Sequence, residues 1–349
     1  MKKALLIVSM LTVIILFVVS CSKDSADGSS PEADNELIYQ ANQNLSAITA
    51  NPVTSANNQL SDAKIRLGKI LFFDKRLSLT NSISCSSCHN LSTYGVDNLP
   101  VSPGHTGQLG TRNAPTVFNA AYHFRQFWDG RVNTPEEQAR VPILNPIEMA
   151  LPDAVTVENK LGSLSLYQGL FAAAYPGEGN PVTFNNTTQA IGAFVRTLVT
   201  PSRFDSFLNG NTSALTTQEK NGLRTFIQIG CVSCHSGAAV GGSSFQKFGV
   251  YADYFEFTNS AVIDNGRFTQ TGLESERYVF KVPSLRNAAQ TYPYFHDGSV
   301  RNLEDAVSIM GRVNLNVNLS GQEVNDIVAF INSLTARVPE SVAAIPEEL

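Results

Sequence analysis

The sequence contains Cys85-Ser86-Ser87-Cys88-His89 and, in its second half, Cys231-Val232-Ser233-Cys234-His235. Each stretch is a Cys-x-x-Cys pair followed directly by histidine, which is the attachment signature of c-type haem. Two thiols at this spacing can add to the two vinyl groups of one porphyrin, and the next histidine is then placed to coordinate the iron. The sequence therefore predicts two covalent haems, held by Cys85, Cys88, Cys231 and Cys234, with His89 and His235 as iron ligands.

Two other interpretations of the cysteines are weaker. Two Cys-x-x-Cys pairs can build a four-sulfur zinc site, but zinc leaves both adjacent histidines unexplained. A thioredoxin-like redox pair would lie next to a βαβ pattern, and neither pair does. The fifth cysteine, Cys21, is then left for a separate role.

The composition is that of a globular protein. The 349 residues are 43% hydrophobic and 16% charged, and 25 basic against 30 acidic side chains give a net charge of −5. A nucleic-acid binder needs a concentrated positive face, so no nucleic-acid partner is expected. The length favours two domains.

The amino terminus resembles a bacterial lipoprotein signal. Lys2 and Lys3 precede an apolar run over residues 4–19, and Cys21 follows where the lipidated cysteine of a lipobox would stand. We expect residues 1–20 to be removed, Cys21 to carry lipid, and residues 21–57 to form a flexible tether to a membrane in the bacterial cell envelope, facing the periplasm. A retained anchor helix is the alternative, although the run is short for a membrane span.

Capping patterns and apolar periodicity predict an all-α fold with long loops and little strand. Helix starts are indicated at Thr134 with Glu137, at Thr216 with Glu219, and at Ser320 with Glu323. Apolar stripes at helical spacing run from Ile191 to Leu198 and from Val324 to Leu334.

The chain contains an internal duplication. Shifted by 168 positions, residues 115–136 align with residues 283–304 without a gap, and nine of the 22 positions are identical. Each half then carries one Cys-x-x-Cys-His motif and one downstream Phe-x-Asp-Gly segment. The predicted domains are residues 58–200 and residues 201–349. The only tryptophan, Trp128, stands where the second half has His296, so the two haems are expected to differ in function.

The remaining histidines and methionines supply candidates for further iron ligands. Met310, on a predicted helix after the second motif, could ligate the second iron; a core methionine is the plain alternative. His105 lies in a glycine-rich loop sixteen residues after His89 and could be a displaceable ligand of the first iron, or a solvated loop histidine.

Several motifs in the same order resemble the bacterial dihaem cytochrome c peroxidase family. They cover about Leu67 to Leu334: Leu71-Phe72-Phe73-Asp74, the first haem motif, Arg112-Asn113-Ala114-Pro115-Thr116, Phe127-Trp128-Asp129-Gly130-Arg131, Glu137-Gln138-Ala139, Glu148-Met149, Arg196-Thr197-Leu198 and Tyr294-Phe295-His296-Asp297-Gly298.

The resemblance implies a role for each matching residue. The first haem would be the peroxidatic one, with His89 as proximal and His105 as displaceable distal ligand, and the second would be the electron-transfer haem, with His235 and Met310 as axial ligands. The resemblance also implies Gln138 and Glu148 beside the bound peroxide, Trp128 between the haems, and calcium held by Asn113 with the backbone carbonyls of Thr291 and Pro293.

The expected activity is the reduction of hydrogen peroxide to water with electrons from a small cytochrome c or a copper protein (cupredoxin). The family is often dimeric, so a homodimer is also expected. Two alternatives remain. The related dihaem proteins that oxidise a partner's tryptophans have tyrosine at the position of Met310, and a pure electron-transfer cytochrome would need no open iron site.

Overall fold

The computed structural model describes residues 30–349. The expected signal peptide and Cys21 lie outside the described residues. Within them, no helix is both long and apolar enough to cross a membrane.

The structure is mostly helical, as expected from the sequence. Two short antiparallel strands, β1 (Phe245–Lys247) and β2 (Val279–Lys281), form the sheet of the described residues. The α-helices are α1 (Pro31–Asn42), α2 (Asp62–Phe73), α3 (Cys85–Cys88), α4 (Pro135–Leu144), α5 (Ala154–Gly162), α6 (Ser165–Ala174), α7 (Phe184–Val195), α8 (Arg203–Leu208), α9 (Thr217–Gln228), α10 (Phe255–Thr258), α11 (Phe268–Thr271), α12 (Leu303–Leu315), α13 (Gly321–Ser333) and α14 (Glu340–Ala343).

The capping patterns form largely as the sequence indicates. Reciprocal capping boxes begin α9 at Thr216 and α13 at Ser320. At α4 the Thr134 side chain accepts from the Glu137 N–H, but the Glu137 carboxylate accepts from the N–H of Asn133 and not from that of Thr134. The stripe ending at Leu198 extends beyond α7, which ends at Val195; Leu198 is nevertheless buried.

Two apolar cores lie on either side of Thr200. One is built from α2, α4, α5, α6 and α7, and the other from α1, α8, α9, α12 and α13. The Thr200 hydroxyl accepts from the side-chain amides of Asn119 and Asn287, at 2.7 and 2.9 Å. These two asparagines are equivalent in the internal duplication, so the junction between the halves is bonded to both copies.

The prediction of a flexible tether through residue 57 is wrong for α1, which is an ordered helix packed on the second core. Leu37 and Ala41 are buried in the second core, and Lys220 donates to the Asp34 carboxylate at 2.6 Å. The Gly237 N–H also donates to the Asn44 carbonyl at 2.7 Å. Apolar burial and a buried ion pair therefore fix this segment on the carboxyl-terminal half, although its sequence is rich in polar residues.

The same close helix crossing occurs in both cores. A Cβ on Gly68 of α2 would lie 1.8 Å from the Ala190 carbonyl oxygen of α7. A Cβ on Gly222 of α9 would lie 1.8 Å from the Asp326 carbonyl oxygen of α13. Only glycine allows these backbones to approach so closely. The two halves thus share a helix-pair framework on which the Cys-x-x-Cys-His segments are mounted.

Candidate functional site: two Cys-x-x-Cys-His centres

The first motif forms a single helical turn. α3 is Cys85–Cys88, and Ser84 begins it with a capping box completed by Ser87. The His89 N–H donates to the Cys85 carbonyl at 2.9 Å, and its Nδ1 lies 3.3 Å from the Gly95 carbonyl oxygen. This short turn brings the two thiols and the histidine together, and the contact with Gly95 orients the imidazole ring.

His105 lies in a compact loop formed by residues 102–110, which we call the His105 loop. The His105 N–H donates to the Glu148 carbonyl at 2.9 Å, and the hydroxyls of Thr80 and Ser82 donate to the His105 carbonyl at 3.2 and 3.1 Å. A Cβ on Gly104 would lie 1.6 Å from the Ile147 carbonyl oxygen. The loop is therefore fixed by three hydrogen bonds and one close backbone contact.

Glu148 lies next to this loop. Its Oε1 accepts from the Asn145 side-chain amide at 2.6 Å, and the carboxyl group is half-buried. Burial raises the pKa of Glu148, and the Asn145 hydrogen bond and the charge of Arg131 oppose this effect only in part. Burial raises the pKa of the Cys85 and Cys88 thiols, and the charge of Glu148 adds to this effect, so the carboxyl group lies near the first motif.

Gln138 lies on α4, ten residues before Glu148, and is half-buried. Within residues 30–349 the Gln138 side chain makes no hydrogen bond. Its amide can therefore bind a small ligand without losing an existing partner.

The second motif and Met310 share one large cavity. Its walls carry Cys231, Cys234, His235 and Met310, and Met310 lies on α12. The His235 N–H donates to the Cys231 carbonyl at 3.0 Å, the counterpart of the His89 bond in the first half. Burial lowers the pKa of His235 to about 4, so the imidazole is neutral at pH 7 and able to ligate a metal.

Trp128 also lies on the wall of this cavity, where the two halves meet. Its indole N–H donates to the Asn113 carbonyl at 2.9 Å, and its ring meets that of His296 edge to face, with centroids 6.3 Å apart. His296 is 2% exposed and stacks on Phe280 at 4.3 Å. Trp128 and its duplicate His296 are therefore neighbours at the domain junction.

Two equivalent backbone bonds cross this junction. The Asn113 N–H donates to the His296 carbonyl at 2.7 Å, and the Lys281 N–H donates to the Trp128 carbonyl at 2.7 Å. Asn113 corresponds to Lys281, and Trp128 to His296, under the 168-residue shift. The halves are thus related by an approximate twofold exchange around the cavity. The three candidate calcium ligands, Asn113, Thr291 and Pro293, all lie on its wall.

Arg112 follows the His105 loop and bonds it to the second half. Its guanidinium donates to Asp264 at 2.6 and 3.0 Å and to Asp129 at 2.7 Å. Burial would lower the pKa of Arg112, but the two carboxylates outweigh burial and raise it. This network could not be predicted from the sequence, because nothing local marks Asp264 as a partner of a residue 152 positions earlier.

The side chains fit two covalent haems better than the alternatives. All four cysteines of the motifs are free. Burial raises the pKa of Cys85 to about 12 and that of Cys88 to about 11, whereas a redox-active pair needs a lowered thiol pKa. No three His, Cys, Asp or Glu side chains in residues 30–349 are grouped to hold a metal, so the two pairs do not combine into a four-sulfur site. Each histidine instead stands alone beside its own cysteine pair, as a porphyrin requires.

Several buried histidine nitrogens support this fit. Among residues 30–349, His105 Nδ1, His123 Nε2 and His296 Nε2 are buried and have no hydrogen-bond partner. Buried polar atoms normally find partners, so three unsatisfied imidazoles indicate a ligand that protein atoms do not replace. The fold and these centres define a c-type cytochrome with two haem sites in one chain.

Comparison with known proteins agrees with this class. A family model described as "Di-haem cytochrome c peroxidase" matches residues 62–213, and one described as "Cytochrome c" matches residues 219–335. "Cytochrome c551 peroxidase" of Pseudomonas aeruginosa is 43% identical over 315 residues, covering 89% of this chain and 90% of the relative. "Cytochrome c551 peroxidase" of Nitrosomonas europaea is 46% identical over 304 residues, with 87% of each chain covered.

A solved structure shares both the fold and part of the sequence. A "MauG-like protein associated with microbial copper homeostasis" superposes with a TM-score of 0.74 at 31% identity, covering 84% of this chain and 95% of the other. The chain belongs to the dihaem cytochrome c peroxidase family, as its motifs indicated.

Proposed function

We propose that the protein reduces hydrogen peroxide to two molecules of water, using two protons and two electrons from a small cytochrome c or a copper protein. The observation that carries the proposal is the pairing of His105 with Glu148. One backbone hydrogen bond of 2.9 Å joins the loop that carries His105 to Glu148, whose charge adds to the effect of burial in raising the pKa of the Cys85 and Cys88 thiols. The relatives named cytochrome c551 peroxidase support the same reaction.

In this proposal each centre has a separate task. When bound, the first haem supplies the iron on which peroxide is reduced, and the second haem delivers electrons to it. Cys85, Cys88 and His89 would hold the first haem, and His105 would be a displaceable ligand of the same haem. Cys231, Cys234, His235 and Met310 would hold the second.

The residues around the first centre would bind peroxide and move protons. Gln138 can hydrogen-bond the peroxide oxygen, and Glu148 can donate a proton to the departing one. Asn145 would hold the Glu148 carboxyl group in place through its 2.6 Å bond. Trp128 would lie between the two haems. Its duplicate position carries His296, and the position equivalent to Gln138 carries Ala306, which supports peroxide chemistry at the first centre alone.

Release of the His105 loop would open the first centre after the second haem is reduced. The purified protein is tested by stopped-flow peroxide turnover before and after partial reduction, together with His105→Gly. We expect the parent to require prior reduction and the variant to be active without it. A variant that still needs reduction would show that His105 does not close the site.

Two other activities are distinguished by measurement. A "Methylamine utilization protein MauG" is 35% identical over 291 residues. Met310 argues against a tryptophan-oxidising activity, because the family resemblance implies tyrosine at this position in the dihaem proteins that have that activity. Met310 lies on the wall of the cavity that carries the second motif, which favours an electron-transfer role for that centre. A pure electron carrier would show no peroxide turnover above background, and Glu148→Gln would leave that background unchanged.

We further propose a calcium ion at the domain junction. The Asn113 side-chain N–H donates to the Leu99 carbonyl at 2.9 Å, which leaves its amide oxygen for a cation. Together with the carbonyls of Thr291 and Pro293 this gives the oxygen ligands that calcium prefers.

The protein is further proposed to be a periplasm-facing lipoprotein anchored through Cys21, and a homodimer. Cys21→Ser should move it from the membrane to the soluble fraction, and light scattering of the purified protein should give twice the chain mass.

A further inference from the structure

Lys281 is a buried cation without an acidic partner in the described part of the chain. It ends β2 and is 5% exposed. Its Nζ lies 3.3 Å from His123 Nδ1, the side-chain contact recorded for it. Burial lowers the pKa of Lys281 to about 8, and no carboxylate opposes that effect. An unpaired buried ammonium is unfavourable unless an anion from elsewhere completes its surroundings.

His123 is unsatisfied at the same place. Its Nε2 is buried and has no hydrogen-bond partner among residues 30–349. Burial lowers the pKa of His123, and the Lys281 charge lowers it further, so the ring is neutral. Both side chains lie on the wall of the cavity that also carries Cys231, Cys234 and His235. The missing partner is therefore expected inside this cavity.

Two glycines bring this pair next to the second haem motif. A Cβ on Gly242 would lie 2.3 Å from His123 Cδ2, and a Cβ on Gly241 would lie 3.3 Å from His235 Nδ1. Both glycines have positive φ, at +126° for Gly241 and +74° for Gly242. Two adjacent residues of one turn therefore contact both histidines: Gly242 lies against His123, and Gly241 lies against the iron-ligand candidate His235.

The internal duplication relates the Lys281 ammonium group to the proposed calcium site. Under the 168-residue shift Lys281 corresponds to Asn113, and His123 corresponds to Thr291. Asn113 and Thr291 are two of the proposed calcium ligands, one from each half. Exchanging the two halves therefore puts Lys281 in the position of Asn113 and His123 in the position of Thr291. The backbone bonds of Asn113 to His296 and of Lys281 to Trp128, both 2.7 Å, show that this exchange is present in the fold.

We propose that Lys281 and His123 form an anion subsite that binds a propionate carboxylate of the second haem, with the Lys281 ammonium standing where the exchanged position would take a calcium ion. The proposal rests on the two-haem protein of the proposed function. The Lys281 Nζ donates to a carboxylate oxygen, and His123 Nε2, protonated in the neutral tautomer, donates a second bond. Lys281 is then a positioning residue that also raises the reduction potential of the second haem, because a nearby positive charge favours the ferrous state.

The test is a spectroelectrochemical titration of the full, haem-loaded protein and its Lys281→Met variant. Loss of the buried charge should lower the equilibrium constant for reduction of the second haem about tenfold, a shift of about 59 mV for one electron. Lys281→Arg keeps the positive charge, so its reduction potential should fall by less than half of the shift measured for Lys281→Met. Lys247→Met is the matched control, because Lys247 lines the same cavity but is exposed to solvent.

The outcomes separate a local contact from a general charge effect. A shift in Lys281→Met that is no larger than in Lys247→Met would overturn the proposal. If Lys281→Met fails to incorporate the second haem, then Lys281→Arg must incorporate it and Lys281→Gln must not; loss of haem in Lys281→Arg as well would overturn the proposal. A parent with two haems that is inert towards peroxide would refute the proposed activity and leave this titration valid.

Discussion

Replacing Glu148 by glutamine isolates the proton-transfer role of its carboxyl group. Glutamine has nearly the same shape, and its amide oxygen can still accept the 2.6 Å bond from Asn145. The bond that fixes the His105 loop uses the Glu148 backbone carbonyl, so the substitution does not affect it. The resting absorption spectrum and the haem content should therefore be those of the parent.

The expected loss follows from what the carboxyl group alone supplies. A positioned general acid contributes about 10²- to 10⁴-fold to rate. Because Glu148 is half-buried, water can replace part of that contribution, and we expect kcat/KM for peroxide to fall about 10³-fold. This corresponds to about 4 kcal/mol of transition-state stabilisation.

The assay is stopped-flow peroxide consumption by half-reduced protein, with ascorbate and a redox mediator as the electron source. Glu347→Gln makes the same chemical change at an exposed residue near the carboxyl terminus and should leave the rate unchanged. A Glu148→Gln variant within threefold of the parent rate, with both haems present, would refute the assignment of this group as the proton donor.

Three further predictions concern the loop, the interior and the cation site. Gly104→Ala should give a five-coordinate first haem at rest, because its Cβ would clash with the Ile147 carbonyl and detach the loop; a parental spectrum in visible absorption and electron paramagnetic resonance would contradict this. Glu136→Gln should destabilise the protein by about 3 kcal/mol at pH 7, because Arg196 loses a buried carboxylate partner. Burial would raise the pKa of Glu136, but the hydrogen bonds from Arg196 and Asn58 outweigh burial and lower it. The ion pair therefore stabilises the fold at pH values above the unfolded pKa of about 4.5, and this stabilisation is lost as the pH falls through the folded pKa. The difference in Tm between parent and variant should shrink over the same pH range, and a constant difference would contradict the pairing. Calcium removal by EGTA should reduce peroxide turnover, and added calcium should restore it in the parent but not in Asn113→Ala; equal recovery in both would remove Asn113 from the site.

Local chemistry made much of this protein predictable from sequence. The Cys-x-x-Cys-His spacing specifies covalent haem attachment within five residues, and Thr216 and Ser320 start their helices through bonds made within one turn. Both features depend on neighbours in the chain. They form wherever the surrounding fold permits.

Contacts between distant segments were not predictable in this way. The α1 segment looks like a linker because its burial depends on Lys220, 186 positions after Asp34. The Gly68 and Gly222 crossings lie outside the aligned repeat, since they are 154 positions apart and the shift is 168. The correspondence of Lys281 with Asn113 could have been predicted from the sequence. The aligned segment begins at Pro283, and extending it by two residues pairs Lys281 with Asn113.

The two backbone bonds across the junction have a consequence for how such a chain can evolve. The cavity of the second motif is lined by residues of both halves, including Asn113, His123 and Trp128 of the first, so the second half excised alone would lack part of that wall. We therefore expect the two halves to diverge in chemistry while staying in one chain, because a substitution at Asn113 or Lys281 alters a wall that both halves build.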